Sequence, residues 1–273
     1  MPKRVLEQLG HSKISMKKLF TVLFFFSAFI TNAQRTIFGA QNNYVAPTIP
    51  FQAPAIISNG LVLYLDAGNP SSYPGGGTIW TDLSGNGNHG TLFNSPTYTS
   101  SNGGNLLFDV SSKYVSLTPT MLPTGTSDRT IIAFVKTPTS MGGYQHIIHW
   151  GSNSSNQAFG LAFVNNQIST HIWGPCPTQG GVSVATATNY CFATTYTNTG
   201  SLHKFWINGV SQGSGVSYSI NTGTTDARVG QRTTGSEGWG PSGQIYQVLV
   251  YNRALSNAEI QQIFNVQRGR FGL

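Results

Sequence analysis

The chain has 273 residues, 39% of them hydrophobic and only 8% charged, with a formal net charge of +7. That length admits one large all-β domain or two small ones, and a surplus of Gly, Ser, Thr and Asn suits short strands joined by tight turns. The charge is lopsided: residues 1–33 carry five Lys or Arg against one Glu, net +4, and residues 34–273 carry ten against seven Asp or Glu, net +3. With no cluster of Lys and Arg in the second part, the electrostatic footprint of a nucleic-acid binder is missing.

The amino-terminal stretch reads as a secretory signal peptide over residues 1–33. Lys17 and Lys18 precede an apolar run from Leu19 to Ile30, and Thr31-Asn32-Ala33 supplies a small residue for cleavage before Gln34. The run is shorter than the roughly 20 residues a membrane helix needs, so no stable membrane span is expected. Met16 is a candidate start. Residues 34–57 carry Pro47, Pro50 and Pro54 without periodicity, which predicts an extended linker.

From Ser58 onward, short apolar runs alternate with turn clusters. They predict strands at 61–65, 105–109, 114–117, 129–136, 145–151, 158–164, 167–173, 190–196, 202–207, 227–230 and 244–251, and therefore a sandwich or barrel over 58–273. Asn208-Gly209 and Asn165-Asn166 are hairpin turn signals, since these residues tolerate positive φ. Ser256-Asn257-Ala258-Glu259 is a capping box, and the spacing of Ile260, Ile263 and Phe264 predicts a helix after the last strand, with Gly269 as its stop. The cysteines are Cys176 and Cys191. In an exported chain a lone pair predicts one disulfide, and closing a loop of about 15 residues would contribute roughly 3 kcal/mol.

Two segments carry a family resemblance. Gly60–Leu92 contains a strand ending in Asp66, then Trp80-x-Asp82-Leu-Ser-Gly-Asn-Gly-Asn-His89-Gly. Gln244–Phe264 reads QIYQVLVYNRALSNAEIQQIF. They resemble the opening and the closing strand-plus-helix of laminin G-like domains in the concanavalin A-like lectin/glucanase superfamily. The resemblance implies an all-β fold, two antiparallel sheets in a jelly-roll sandwich with one carboxy-terminal helix. It leaves function open, because the fold hosts lectins, adhesion modules, glucanases and phage tail parts. Members often carry an acidic pair after a Phe-Asp strand; here Phe108-Asp109 is followed by Lys113, which bears on any calcium site carried over from the family.

Glycoside hydrolysis generally needs two carboxylates flanking one bond. After residue 34 the only glutamates are Glu237 and Glu259, no strand carries acids at i and i+2, and the aspartates stand singly. There is no Gly-x-Ser-x-Gly elbow, and His146, His149, His171 and His203 show no metal-ligand spacing of the His-Glu-x-x-His kind. Asp66, Asp82 and Asp109 are weak candidates for a metal, with calcium the open cofactor; as strand-end residues, Asp66 and Asp82 also suit bonds to turn N–H groups. The stronger binding candidates come from strand alternation. His149 faces away from Ile148 and Trp150; Ser169, His171 and Trp173 share one face. If those strands are neighbours, His149, His171 and Trp173 line one polar-aromatic surface that suits a sugar ring. Tyr144 and Trp239, in Gly-rich loops, are secondary candidates. The chain is therefore expected to be a secreted, non-catalytic recognition module for a glycan or glycosylated surface. A virion or tail appendage, and a carbohydrate-active enzyme of another mechanism, are the alternatives.

Overall fold

A computed structural model describes residues 56–174, 178–233, 235 and 237–273. The expected signal peptide, nearly all of the linker, and Cys176 lie outside the described residues. Strands β1 (Leu61–Asp66), β2 (Ile79–Trp80), β3 (Gly90–Phe93), β4 (Thr97–Thr99), β5 (Asn105–Phe108) and β6 (Tyr114–Ser116) open the domain. Then come β7 (Arg129–Lys136), β8 (Tyr144–Gly151), β9 (Ala158–Val164), β10 (Gln167–Thr170), β11 (Thr178–Ser183) and β12 (Asn189–Thr197). The chain closes with β13 (Leu202–Ile207), β14 (Val210–Ser211), β15 (Val216–Ser217), β16 (Asp226–Val229), β17 (Gly243–Tyr251) and helix α1 (Asn257–Gln267).

The strands form two antiparallel sheets. The first has the order β14-β13-β12-β7-β17-β5-β4, with β1 also on β17 and β15 on β13; the second runs β11-β10-β9-β8-β16-β6-β3-β2. All eleven strands expected from the sequence are present, most within a residue or two of their expected bounds. Those missed are the shortest ones and β11, where polar residues give no apolar run. Residues 167–173 do not form one strand: β10 ends at Thr170, and Trp173 takes φ 62°. Asn208 and Gly209 both take positive φ, as do Asn165 and Asn166, so both hairpin turns close as their residues predict.

Period-two alternation sends one side of every long strand inward. Ile131, Ala133 and Val135 of β7 meet Ile148 and Trp150 of β8 and Phe159, Leu161 and Phe163 of β9 in the core between the sheets. The other side of β7 is also apolar. Ile132 and Phe134 join Trp206, Tyr246, Leu249 and Tyr251 beneath Ile260, Ile263 and Phe264 of α1. The first sheet is thus buried on both faces, which is why β7 and β17 read as near-continuous hydrophobic runs. The outer face of the second sheet is the one left for polar side chains.

Helix α1 starts as its capping box dictates: Glu259 N–H donates to Ser256 Oγ at 3.3 Å, and Ser256 N–H donates to Glu259 Oε2 at 2.8 Å. The Arg253 guanidinium, 2.6 Å away, and that N–H hold the Glu259 carboxyl down at about 2. Gly269 is not the stop. The chain tightens into a 3-10 turn over Arg268–Phe271, and Gly272, at φ 69°, ends it. The expected Cys176–Cys191 disulfide is not formed at Cys191, which is a free, buried thiol. Its strand position turns it away from the inter-sheet core, into the apolar layer with Ile132, Phe134 and the residues of α1; burial raises its pKa, which keeps it protonated.

His203 of β13 is buried between the rings of Phe159 and Tyr196, and its Nε2–H donates to the Tyr218 carbonyl at 2.9 Å. Burial, with the nearby Arg129 cation adding to it, lowers its pKa from 6.5 to about 4. The folded state therefore keeps His203 neutral where the unfolded chain takes up a proton. This part of the stability is complete above pH 6.5 and is lost as pH falls toward 4, by at most roughly 3 kcal/mol. In urea unfolding across that window, His203→Gln is expected to show a shallower fall in stability, by up to one proton; equal slopes would refute this role.

Candidate functional site

The site is built on the middle of the second sheet, on strands β8, β9 and β10. His146 and His149 are three residues apart, and regular alternation would put them on opposite faces. The register against β9 moves from His146↔Ala162 to Ile148↔Leu161, two residues against one. This bulge absorbs one residue. Ile147 and Ile148 both enter the core, and His146 and His149 both turn outward.

His171 approaches from the far side of β9. That strand alternates large residues inward (Phe159, Leu161, Phe163) with small ones outward (Ala158, Gly160, Ala162). Gly160 lies opposite His149, and its carbonyl accepts the His171 N–H at 2.9 Å. A Cβ at Gly160 would stand 2.5 Å from the Ile148 carbonyl oxygen and 2.7 Å from His149 Cδ2. The missing side chain lets two imidazoles meet across an intervening strand, with His171 Nδ1 2.8 Å from His149 Nε2. The ring centroids of His146 lie 4.8 Å from His171 and 5.4 Å from His149.

The hairpin after β16 closes the second side. Arg232 N–H donates to the Glu237 carbonyl at 2.8 Å, and Trp239 N–H donates to the Gly230 carbonyl at 2.8 Å. This brings the Thr233 hydroxyl to 3.1 Å from His149 Nδ1 and the Arg232 guanidinium to 4.5 Å from the Trp173 ring centre. The Thr233 hydroxyl donates to Asn153 Oδ1 at 3.2 Å. The Thr233 backbone N–H also donates to His149 Nδ1, at 3.4 Å, so hydroxyl and amide of one residue hold this side of the ring while Nε2 shares a proton with His171 Nδ1.

All three histidines are buried, and burial holds each in its neutral form. Desolvation drives His146 and His149 well below 6.5, aided by neighbouring histidines and the Arg232 charge; desolvation with Arg232 brings His171 to about 4. Neither ring nitrogen of His146 has a hydrogen-bond partner. A buried polar atom left so costs on the order of 1–3 kcal/mol.

The expected surface is thus partly assembled. His149 and His171 touch, the Trp173 ring centre is 6.2 Å from that of His171, and exposed Tyr144 stands edge-on to His171 at 5.9 Å. Trp239 is not part of it: fully buried, it packs on Phe163 at 5.8 Å in the inter-sheet core. The three aspartates are each taken up by protein partners, with Asp66 and Asp82 both bonded to Tyr64. Asp66 is bound by Arg270 at 2.6 Å and accepts the Gly68 N–H at 3.0 Å. Asp82 accepts N–H groups of Tyr64, Ser84 and Asn88 at 2.8, 2.9 and 3.0 Å, which fixes the 82–88 turn. Asp109 pairs with Lys113 at 2.8 Å. Beside the histidines lies a cavity of about 460 Å³ whose lining includes Tyr144, Asp109, Ser111, Glu237 and Pro241.

A family model described as the concanavalin A-like lectin/glucanases superfamily, of laminin G type, matches residues 108–261, more than half of the chain. The chain belongs to this superfamily. No curated protein matches its sequence. Among solved structures, the concanavalin A-like fold here is similar to a Trypanosoma rangeli sialidase in complex with sialic acid, at TM-score 0.57 and 16% identity over 79% of this chain and 34% of that one. It is also similar to domain 4 of AbnA, a GH43 extracellular arabinanase from Geobacillus stearothermophilus, in complex with arabinotriose, at TM-score 0.55 and 17% identity over 74% of this chain and 97% of that one. The binding domain of Paraclostridial Mosquitocidal Protein 1 matches at TM-score 0.58 and 14% identity, over 76% and 52%. The chain spans about a third of the sialidase's length. Among the described residues, no helix is long and apolar enough to cross a membrane.

Within this concanavalin A-like sandwich, sequence reasoning missed His146, Gly160 and Thr233. Two of them leave a signal. The pattern His-Ile-Ile-His breaks alternation with an apolar doublet, which marks a bulge. Ala-Phe-Gly-Leu-Ala marks a strand with one bare face. Thr233 leaves none, because its partner is 84 residues away. Gly160→Ala is expected to force the His149 and His171 strands apart and destabilise the fold by about 1–3 kcal/mol, read from the urea midpoint; an unchanged midpoint would show that the gap is not needed.

Proposed function

We propose that this domain is an exported, non-catalytic module that binds carbohydrate at the cavity beside Tyr144. One observation carries the reading: an exposed aromatic ring borders an open cavity whose loop walls also carry Asp109, Ser111, Gln145 and Glu237. A sugar lays its apolar face on such a ring and turns its hydroxyls to the polar wall. The AbnA domain supports it, since a domain matched over nearly its whole length was solved with arabinotriose. The sequence motif of residues 17–33 supports export.

Asp109 and Glu237 line the same cavity, which favours a second reading, glycoside hydrolysis. Each carboxylate, however, is paired with a cation, Lys113 at 2.8 Å and Arg232 at 3.2 Å. Lys113 holds the Asp109 carboxyl below the usual range. A glycosidase acid needs its pKa raised, and Asp109 departs in the opposite direction.

Glycan-array screening and calorimetry of the purified chain, with and without calcium, test the proposal. Binding is expected, and Tyr144→Ala should weaken it about tenfold, or roughly 1.4 kcal/mol. No binding to any glycan in either condition would overturn it, and release of reducing sugar would establish the enzyme instead. Amino-terminal sequencing of exported protein should find a start near Gln34; an intact Met1 or Met16 on a cytoplasmic product would refute export.

A further inference from the structure

The histidine cluster is not needed for a sugar to stack on Tyr144, and it is costly to the fold. Three imidazoles are placed together below the surface, with relative exposures of 0% for His146, 0% for His149 and 4% for His171. Assembling them takes a bulge in β8 and a glycine in β9. Each offers one nitrogen, and these atoms all lie within 4.8 Å of one another. His146 has no hydrogen-bond partner at either ring nitrogen, although it is fully buried and directed at the other two rings.

We propose that His146, His149 and His171 form a binding site for a divalent transition-metal ion. The site takes its ligands from three different registers of one sheet rather than from one helix. That is why no i, i+4 spacing announces it. The neutral imidazole is the form that ligates, and the burial of these three residues favours that form. The donor set consists of nitrogen alone, which suits zinc, copper, nickel or cobalt and does not suit calcium, an oxygen-seeking ion.

The surroundings supply what a ligating histidine requires from behind. Metal-bound imidazoles commonly donate their second ring N–H to an oxygen, which fixes the ring. The Thr233 hydroxyl oxygen stands 3.1 Å from His149 Nδ1, in place to accept such an N–H in the metal-bound form, and Asn153 holds that hydroxyl in turn, at 3.2 Å. His149 Nε2 faces His171 Nδ1. Without a metal the two nitrogens share one proton in a hydrogen bond of 2.8 Å. With zinc–nitrogen bonds of about 2.0–2.1 Å, tetrahedral ligand nitrogens lie roughly 3.3 Å apart. The two rings need to separate by only about half an ångström from that 2.8 Å contact.

The proton balance closes within the protein and solvent. The proton shared by His171 Nδ1 and His149 Nε2 leaves to water, another is taken up at the other nitrogen of the ring that gave it up, and both rings stay neutral. Three neutral ligands replace three waters on the ion, and no net proton is released. Three protein ligands leave a fourth position for water or for an oxygen of a bound molecule. The Arg232 guanidinium, close enough to lower the His171 pKa, is itself paired with Glu237 at 3.2 Å, which offsets its repulsion of a bound cation.

The experiment uses the full chain, stripped with a chelator and dialysed. Cobalt(II) is added first, for its visible absorption, and then zinc in competition with a chromogenic indicator. One equivalent of zinc per chain is expected, with displacement of the cobalt spectrum and a higher thermal midpoint. His146→Ala and His171→Ala should each weaken zinc binding at least about a hundredfold, and His203→Gln, outside the cluster, should leave it unchanged. No saturable uptake by the wild-type chain at about 100 μM zinc would overturn the proposal, as would equal uptake by the wild type and both cluster variants. Should the alanine variants fail to fold, nitrogen-15 spectra of the wild-type imidazoles decide. Zinc should move the signals of His146, His149 and His171 and leave those of His89 and His203 in place; the reverse pattern overturns it.

Discussion

The two-residue period of the strands governs this domain. A strand between two sheets can bury one row of side chains and must dispose of the other. In the first sheet the second row is apolar and lies beneath α1 and the turn that follows it. In the second sheet the second row carries the histidines, with Arg228 and Tyr114 further along the face. The separation of a sealed face from a chemically equipped one follows from the distribution of apolar residues on β7 and β17 against β8 and β9.

The period fails at one decisive place. Ile147 is an extra residue, and it changes which side chains can meet. Without it His146 would point into a core made of Trp150, Phe159 and Phe163, where an imidazole has no partner. With it the imidazole joins two others on the outside. Gly160 complements the bulge: one device rotates a side chain onto the face, and the other removes the side chain that would stand between His149 and His171. Both trade local regularity for a cluster of groups, a pattern typical of functional rather than purely structural regions.

The fold was legible in the sequence because its signals are local. Apolar runs of five to nine residues, Asn-Gly at 208–209 and the Ser256–Glu259 box each specify their own structure. The site was only half legible. Alternation places His149, His171 and Trp173 near one another, and a Gly-rich loop singles out Tyr144, yet the first reason is incomplete: β8 and β10 are not neighbours, and Trp173 leaves the strand at positive φ. His146 enters the sequence reading only as one of four histidines without metal-ligand spacing, and regular alternation would turn it inward, so nothing local joins it to the other two. Trp239 sits in a Gly-rich segment that suggests an exposed loop, but its ring enters the core. Cys191 was expected in a crosslink on the strength of a count of two; which face of β12 it occupies depends on α1, some 65 residues later.

The pair Asp66–Arg270 joins the end of the first strand to the turn after the helix, across 204 residues of sequence. Alongside it the strand partner of β1 is β17, while its other edge bonds the 82–88 turn. A ribosome releases Asp66 long before Arg270, so the first strand waits without its neighbour or its counter-charge until almost the whole chain has emerged. Such late, long-range closure slows folding. It keeps the domain open for as long as the chain is being made.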